Sequence, residues 1–254
     1  MLNFRSFGNG EKKVFVVHDF FCDISEYEWI WPYLNTEAFT YVFADLRGYG
    51  QNKDQEGVFS VEEAAADIIE VVDSLGWQSF AVVGHSMSGL IAQYLAAKHP
   101  KRVSKVIGIG PTPPQGLRIE RGFYEQIEKA CRGDLAVAAN LLTYITAGRL
   151  GHGFCLWKAS RWHAVSSMNA RLGYLKMFTQ TNIAETVRGC KVPIHVLAGE
   201  FETEAHRLEA VQRDFLPLYP QFVYEVIPSA SHYPMQETPP FLLASLETAL
   251  NASC

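Results

Sequence analysis

Short apolar runs and segments of helical spacing alternate along most of the chain. The apolar runs have the length of buried β-strands, and the first of them alternates like an edge strand. They cover residues 2–7, 14–17, 40–44, 80–83, 103–110, 193–198 and 222–227. A helical segment between the third and fourth runs begins at a capping box, Ser60 with Glu63, and ends at Gly76. This alternation predicts an α/β fold with a mostly parallel central sheet covered by helices on both faces.

The alternation lapses between residues 113 and 187. No strand pattern is found there, whereas apolar spacing predicts helices over about 119–131, 134–146 and 166–178. The segment is rich in large apolar side chains, which together suggest an apolar pocket. Four of them are the candidates for lining it: Phe123, Phe154, Trp157 and Trp162.

Composition narrows the possible partners. The chain carries a net charge of -5, with 48% hydrophobic and 19% charged residues, which is the balance of a globular protein. No basic surface is expected, so nucleic acid and anionic membranes are poor candidates and a small apolar molecule is the expected ligand. The chain has neither a basic start followed by an apolar run nor about 18 consecutive apolar residues, so we expect a cytoplasmic protein.

Cysteine usage and ligand spacing point away from metals and cofactors. The five cysteines are scattered and include no Cys-x-x-Cys pair: Cys22, Cys131, Cys155, Cys190 and Cys254. They are interpreted as reduced thiols rather than as a disulfide framework or a zinc site. No other ligand cluster and no phosphate-cradling glycine loop is found, so we expect no metal and no organic cofactor.

The strongest chemical signal lies in residues 79–93. An apolar strand over 80–83 runs into small residues over 84–89, and helical spacing follows. A tight turn at the carboxyl end of a buried parallel strand faces the cleft, so Ser86 at its apex would be presented to a ligand. The following helix would aim its N–H groups at negative charge beside this serine.

This stretch resembles the nucleophile elbow of the α/β-hydrolase family, Gly-x-Ser-x-Gly. The last small position here is Ser88, with Gly89 one place later. The resemblance extends over nearly the whole chain and identifies it as similar to serine esterases with a helical cap. It implies one core domain, 1–112 and 188–254, with 113–187 as a cap inserted after the sixth strand.

The resemblance also implies the partners of Ser86. His232 follows the last strand in a loop like the one that carries the catalytic histidine of the family. Glu202 stands where the family usually has the aspartate that orients this histidine, with Glu200 and Glu204 as rivals. The order Ser, acid, His is that of the fold.

An oxyanion hole is implied by the same comparison. Its donors would be the backbone N–H groups of Phe20 and Met87, which need no reorganisation during reaction. Asp19 stands where the family usually has glycine. A carboxylate at this point would repel a developing negative charge unless it points away or is paired.

These residues imply a serine hydrolase that works through an acyl-enzyme, with a carboxylic ester of a small or medium apolar compound as the first choice. Two other reactions of this fold use the same residues: hydrolysis of a carbon–carbon bond, and cofactor-free dioxygenation, in which the serine is dispensable as nucleophile. A non-catalytic ligand receptor on the same scaffold is the non-enzyme alternative, and the departures at Asp19, Ser88 and Glu202 favour it.

Overall fold

A seven-stranded sheet organises the chain in the computed structural model, which describes residues 1–252. The spatial order is β1-β3-β2-β4-β5-β6-β7; β1 is antiparallel to β3 and every other pairing is parallel. The strands are β1 (Phe4–Phe7), β2 (Lys12–Val17), β3 (Phe39–Ala44), β4 (Phe80–His85), β5 (Val103–Ile109), β6 (Ile194–Gly199) and β7 (Phe222–Ile227). The predicted mostly parallel sheet is confirmed.

Helices cover both faces of this sheet, as predicted. They are α1 (Val61–Ser74), α2 (Met87–Lys98), α3 (Arg121–Cys131), α4 (Leu135–Ile145), α5 (His152–Val165), α6 (Met168–Gln180), α7 (Ala184–Val187), α8 (Leu208–Phe215), α9 (Pro234–Glu237) and α10 (Pro239–Asn251). Ser60 caps α1 by accepting a hydrogen bond from the Glu63 N–H at 3.2 Å, as the capping box predicts. Helix α2 packs on β4 and β5, whereas α10 contacts β5, β6 and β7.

The hydrophobic core lies on both sides of the central strands. Every residue of β3 and of β4 is buried, so these strands are apolar on both faces instead of alternating. Such strands place their carboxyl ends along one edge of the sheet. The loops that leave this edge carry Asp19, Ser86 and His232.

Helices α3 to α7 form one helical insertion between β5 and β6. Five strands precede this insertion instead of six, because the amino-terminal edge contributes the single strand β1 before β2. Helix α5 was not predicted, whereas α3, α4 and α6 agree with the predicted segments to within about two residues. The loop after β3 holds the insertion: the Ser167 N–H donates to the Gly48 carbonyl at 2.9 Å, and Tyr49 forms an antiparallel bridge with Ser166.

Two further sequence predictions concern membranes and thiols. Over residues 1–252, every helix is too short or too polar to span a bilayer. Cys22, Cys131, Cys155 and Cys190 are free thiols, and Cys254 lies outside the described residues.

Candidate active site

Ser86 lies at the sharp turn between β4 and α2. Its backbone has φ 52° and ψ −116°, a conformation that costs free energy in a residue with a side chain and persists only where the surroundings impose it. Three hydrogen bonds do so: the Ser86 N–H donates to the Ile109 carbonyl at 2.9 Å, and the Ser86 carbonyl accepts from the N–H groups of Gly89 and Thr112 at 3.0 Å. The Ser86 side chain lines a cavity at this edge of the sheet.

The small residues around Ser86 let the turn close. A Cβ on Gly84 would lie 2.3 Å from the Ser88 carbonyl oxygen, and one on Gly89 would lie 2.4 Å from the Pro111 Cβ. Glycine is therefore required by close packing at positions 84 and 89. Ser88 uses its hydroxyl to donate to the His18 carbonyl at 2.5 Å, which ties the elbow to the loop after β2.

Glu202 and His232 meet beside this turn. They follow β6 and β7, which pair in parallel, so their loops leave the sheet side by side. His232 Nδ1 lies 2.9 Å from Glu202 Oε1 and 3.1 Å from Oε2. Burial alone would raise the pKa of the Glu202 carboxyl, but the neighbouring imidazoles of His232 and His206 outweigh it and lower this pKa to about 2. The carboxylate is therefore ionised across the physiological range.

The two rival carboxylates lie elsewhere. Glu200 is exposed and accepts a hydrogen bond from the Ser229 N–H at 2.9 Å, and Glu204 is exposed at the mouth of the cavity. Gly110 provides the room that Glu202 occupies, since a Cβ there would lie 2.5 Å from Glu202 Oε1 and 3.2 Å from His232 Nδ1. Neither Gly110 nor its role was predicted; its position after β5, opposite the acid loop, is the one sequence signal for it.

His206 is a second imidazole beside Glu202 that sequence reasoning missed. Its Nδ1 lies 3.6 Å from Glu202 Oε2 and 3.1 Å from the Thr203 hydroxyl. Burial lowers the pKa of His206 to about 4, against the attraction of Glu202, so this ring is neutral at physiological pH. His206 also lines the cavity and follows Glu202 by four residues, which was the available signal.

The cavity above Ser86 has a volume of about 490 Å³. Ser86, His232 and Phe20 lie at its base, and the helical insertion supplies most of its apolar wall. The apolar wall residues from the insertion are Leu117, Ile119, Phe123, Ile127, Leu141, Tyr144, Ile145 and Phe178. Polar groups, including Arg118 and Glu204, lie at its rim. A cavity of this size accepts a small or medium apolar molecule.

Of the four predicted pocket residues, Phe123 lines the cavity and the other three do not. Trp162 is fully buried behind the wall and packs on Phe20, with ring centroids 5.1 Å apart. Trp157 is 48% exposed and packs with Phe154 on the outer surface of the insertion. The prediction for these three was wrong because α5 turns one face to the core and leaves Trp157 on the other.

Phe20 follows β2 and lines the same cavity as Ser86, and Met87 begins α2 directly after Ser86. Among residues 1–252, neither of their backbone N–H groups has a hydrogen-bond acceptor within the chain, so both remain available to a bound oxygen. The Ser86 hydroxyl likewise makes no hydrogen bond within that range, His232 included, although both residues line the cavity. Hydrogen bonds of this kind commonly tighten only when substrate is bound.

Two buried clusters have a donor set that a metal ion could use, with ligand atoms within 4.8 Å of one another: Glu202, His206 and His232, and Asp19, Glu26 and His85. In the first, the carboxylate is occupied by the His232 ring. In the second, both acids bind protein groups, as described below. Each acid of the two clusters is thus engaged by at least one hydrogen bond within the protein.

Known proteins resemble the chain in both sequence and fold. Residues 13–135 match the family model of the alpha/beta hydrolase fold. A strigolactone esterase of Arabidopsis thaliana is 34% identical over 116 residues, 44% of this chain and 43% of that protein, so this chain spans less than half of that relative. The 2-heptyl-3-hydroxy-4(1H)-quinolone dioxygenase of Mycobacteroides abscessus is 26% identical over 230 residues, 85% of this chain and 82% of that protein.

A solved structure extends the likeness to the whole fold. A hydrolase from Oleispira antarctica has a TM-score of 0.86 to this structure at 19% identity, over 99% of this chain and 95% of that one. The sheet order, the serine at the turn after β4 and these matches agree. The chain therefore has the alpha/beta hydrolase fold.

Proposed function

We propose that this protein is a serine hydrolase that cleaves a carboxylic ester of a small or medium apolar compound through an acyl-enzyme. The observation that carries this proposal is the Glu202–His232 contact of 2.9 Å at the wall of the cavity that Ser86 also lines. Its relatives on this fold include esterases and other hydrolases.

Each side chain of the proposed triad has one task. The Ser86 oxygen attacks the ester carbonyl while the imidazole of His232 takes its proton and then passes that proton to the leaving alcohol. The Glu202 carboxylate holds the imidazole in the required tautomer and stabilises its charged form. The Phe20 and Met87 N–H groups hold the oxyanion, and water then releases the acid.

The apolar wall supports the proposed substrate class. Hydrophobic side chains of the insertion enclose the space above Ser86, so an apolar acyl or alcohol group would bury its surface there. We propose that residues 113–187 serve as the cap of this site, inserted into the core formed by 1–112 and 188–254.

Cofactor-free dioxygenation is the second candidate. The observation that favours it is the dioxygenase relative, which matches over 85% of this chain. In that reaction the imidazole of His232 would deprotonate a heteroaromatic substrate, and the serine would not act as nucleophile.

A fluorophosphonate probe and a panel of p-nitrophenyl esters separate these functions. For the proposed esterase, wild type reacts with both, and Ser86→Ala and His232→Ala each lower kcat about 10³-fold or more. Oxygen consumption with hydroxyquinolones that survives in Ser86→Ala would favour the dioxygenase. If wild type reacts with neither the probe nor any ester, the esterase proposal is refuted; ligand binding without turnover would then indicate the receptor.

A further inference from the structure

Asp19, the acid beside the Phe20 N–H, is held away from the cavity. It is fully buried, and its Oδ2 accepts a hydrogen bond from the Tyr233 hydroxyl at 2.6 Å. Among the side chains of residues 1–252, Asp19 Oδ1 finds no hydrogen-bond partner. A buried carboxylate in this state needs a compensating charge, because removing it from water is costly.

The nearest buried acid and imidazole do not supply that charge. The His85 Nε2–H donates to the His232 carbonyl at 2.8 Å, since a carbonyl only accepts. Burial lowers the pKa of His85, so its ring is neutral and its Nδ1 accepts. Glu26 lies 3.3 Å from that Nδ1 and must then carry a proton, which agrees with its pKa, raised well above the usual range by burial and by Asp19.

Lys158 is the cation of this cluster. It lies on α5 of the helical insertion and is fully buried, which is rare for lysine unless its charge is paired. Its ammonium donates to Gln236 Oε1 at 3.1 Å and lies 3.8 Å from the centre of the Tyr233 ring. Tyr233 therefore contacts both charges, with the ammonium on its ring and the Asp19 carboxylate on its hydroxyl.

We propose that Lys158 is a positioning residue of the oxyanion hole. Lys158 belongs to the helical insertion, and its ammonium compensates the Asp19 carboxylate. Negative charge can therefore develop beside the Phe20 N–H. The assignment rests on the proposed function. It explains how an acid is accommodated where the family usually has glycine. Burial would raise the pKa of Asp19, but the Lys158 ammonium and the hydrogen bond from Tyr233 outweigh it and lower this pKa, so the acid is charged and its partner is needed.

A charge-removal cycle tests this role. Lys158→Met removes the ammonium but keeps an unbranched side chain one heavy atom shorter, and it leaves the Asp19 carboxylate uncompensated. We expect kcat for the best p-nitrophenyl ester to fall about 10- to 100-fold with KM within about threefold, because the charge opposes the oxyanion and not substrate binding. The double variant Asp19→Asn/Lys158→Met removes both charges, and we expect its kcat to return to within about fivefold of wild type.

The pH profile separates this role from simple packing. Without Lys158, burial raises the pKa of Asp19, so the acid is neutral at low pH and charged at high pH. The ratio of Lys158→Met to wild-type kcat should therefore fall as pH rises, whereas for the double variant it should stay flat. A packing role would give a loss independent of pH. The titratable groups that face Asp19 are Glu26, His85, Lys158, His232 and Tyr233.

Every outcome bears on the assignment. Thermal unfolding shows which variants fold. If Lys158→Met does not fold, kcat of the double variant is the measurement that tests the proposal, because the double variant buries no unpaired charge. The proposal is overturned if folded Lys158→Met keeps kcat within threefold of wild type over the whole pH profile, or if the folded double variant stays 100-fold below wild type. Wild type that reacts with neither ester nor fluorophosphonate refutes the proposed function itself, and the role of Lys158 falls with it.

Discussion

Replacing Glu202 by glutamine tests the acid of the proposed triad. The substitution keeps the shape of the side chain and removes its charge. In wild type, both carboxylate oxygens lie within 3.1 Å of His232 Nδ1. In Glu202→Gln, an amide group competes for that nitrogen and turns the imidazole toward the tautomer that cannot take a proton from Ser86.

The structure gives the size of the effect. The pKa of Glu202 lies at about 2 instead of 4.5, because His232 and His206 outweigh the cost of burial. That difference corresponds to at most about 3 kcal/mol, or at most about 10²-fold in rate, for the interaction with the His232 imidazolium, because His206 is neutral at the pH of the assay and part of the difference is due to its charged form. The unfavourable tautomer adds to this, so we expect kcat to fall about 10²- to 10⁴-fold with little change in KM.

This loss is measured by steady-state hydrolysis of the best p-nitrophenyl ester at about pH 7.5. Carboxylates stay ionised in this range. Glu200→Gln is the matched control: Glu200 lies in the same loop but is exposed, so its kcat should stay within about threefold of wild type. If Glu202→Gln keeps kcat within fivefold of wild type, or if Glu200→Gln loses as much, the assignment of the acid is refuted.

Three further outcomes are expected. Burial lowers the pKa of His206 to about 4, so on acidification this histidine is protonated in the unfolded chain before it is protonated in the folded protein. The free energy of unfolding therefore falls between about pH 6.5 and pH 4, by at most about 1.4 kcal/mol per pH unit. Urea titrations should show that this free energy depends less steeply on pH in His206→Gln, and an unchanged dependence contradicts the prediction. Gly110→Ala should destabilise by about 1–3 kcal/mol and lower kcat, because its Cβ would meet Glu202 Oε1; equal unfolding midpoints would refute it. Phe123→Ala opens the cavity wall and should raise kcat/KM for octanoate over butanoate esters about 3- to 10-fold, and an unaltered ratio would exclude Phe123 from the acyl site.

The centre of the sheet was predictable because β3 and β4 are apolar at nearly every position and are buried throughout. The apolar run over 80–83 and the cluster of small residues after it indicate a strand and a tight turn without any tertiary information. Ser86 follows from that turn. The choice of Glu202 among three nearby glutamates came from the resemblance, since their spacing alone does not distinguish them.

Helix α5 and the pocket wall were not predictable, for one physical reason. The buried face of α5 includes Lys158, while Leu156 and Trp157 are exposed, so polarity does not follow burial at these three positions. A pattern of apolar residues cannot reveal a helix whose buried lysine is stabilised by groups distant in sequence. Trp157 was consequently misplaced in the cavity.

The hydrogen bonds between the loop after β3 and the helical insertion have a consequence for recombination between relatives. The Ser167 N–H binds the Gly48 carbonyl, and the Lys53 ammonium binds the Ala164 carbonyl at 2.6 Å. A chimera that imports a foreign insertion but retains this loop keeps both contacts only if the imported backbone follows the same path at positions 164 and 167. The module that can be exchanged intact thus comprises two separate stretches, 45–53 and 113–187, and a crossover designed on the insertion alone would cut through it.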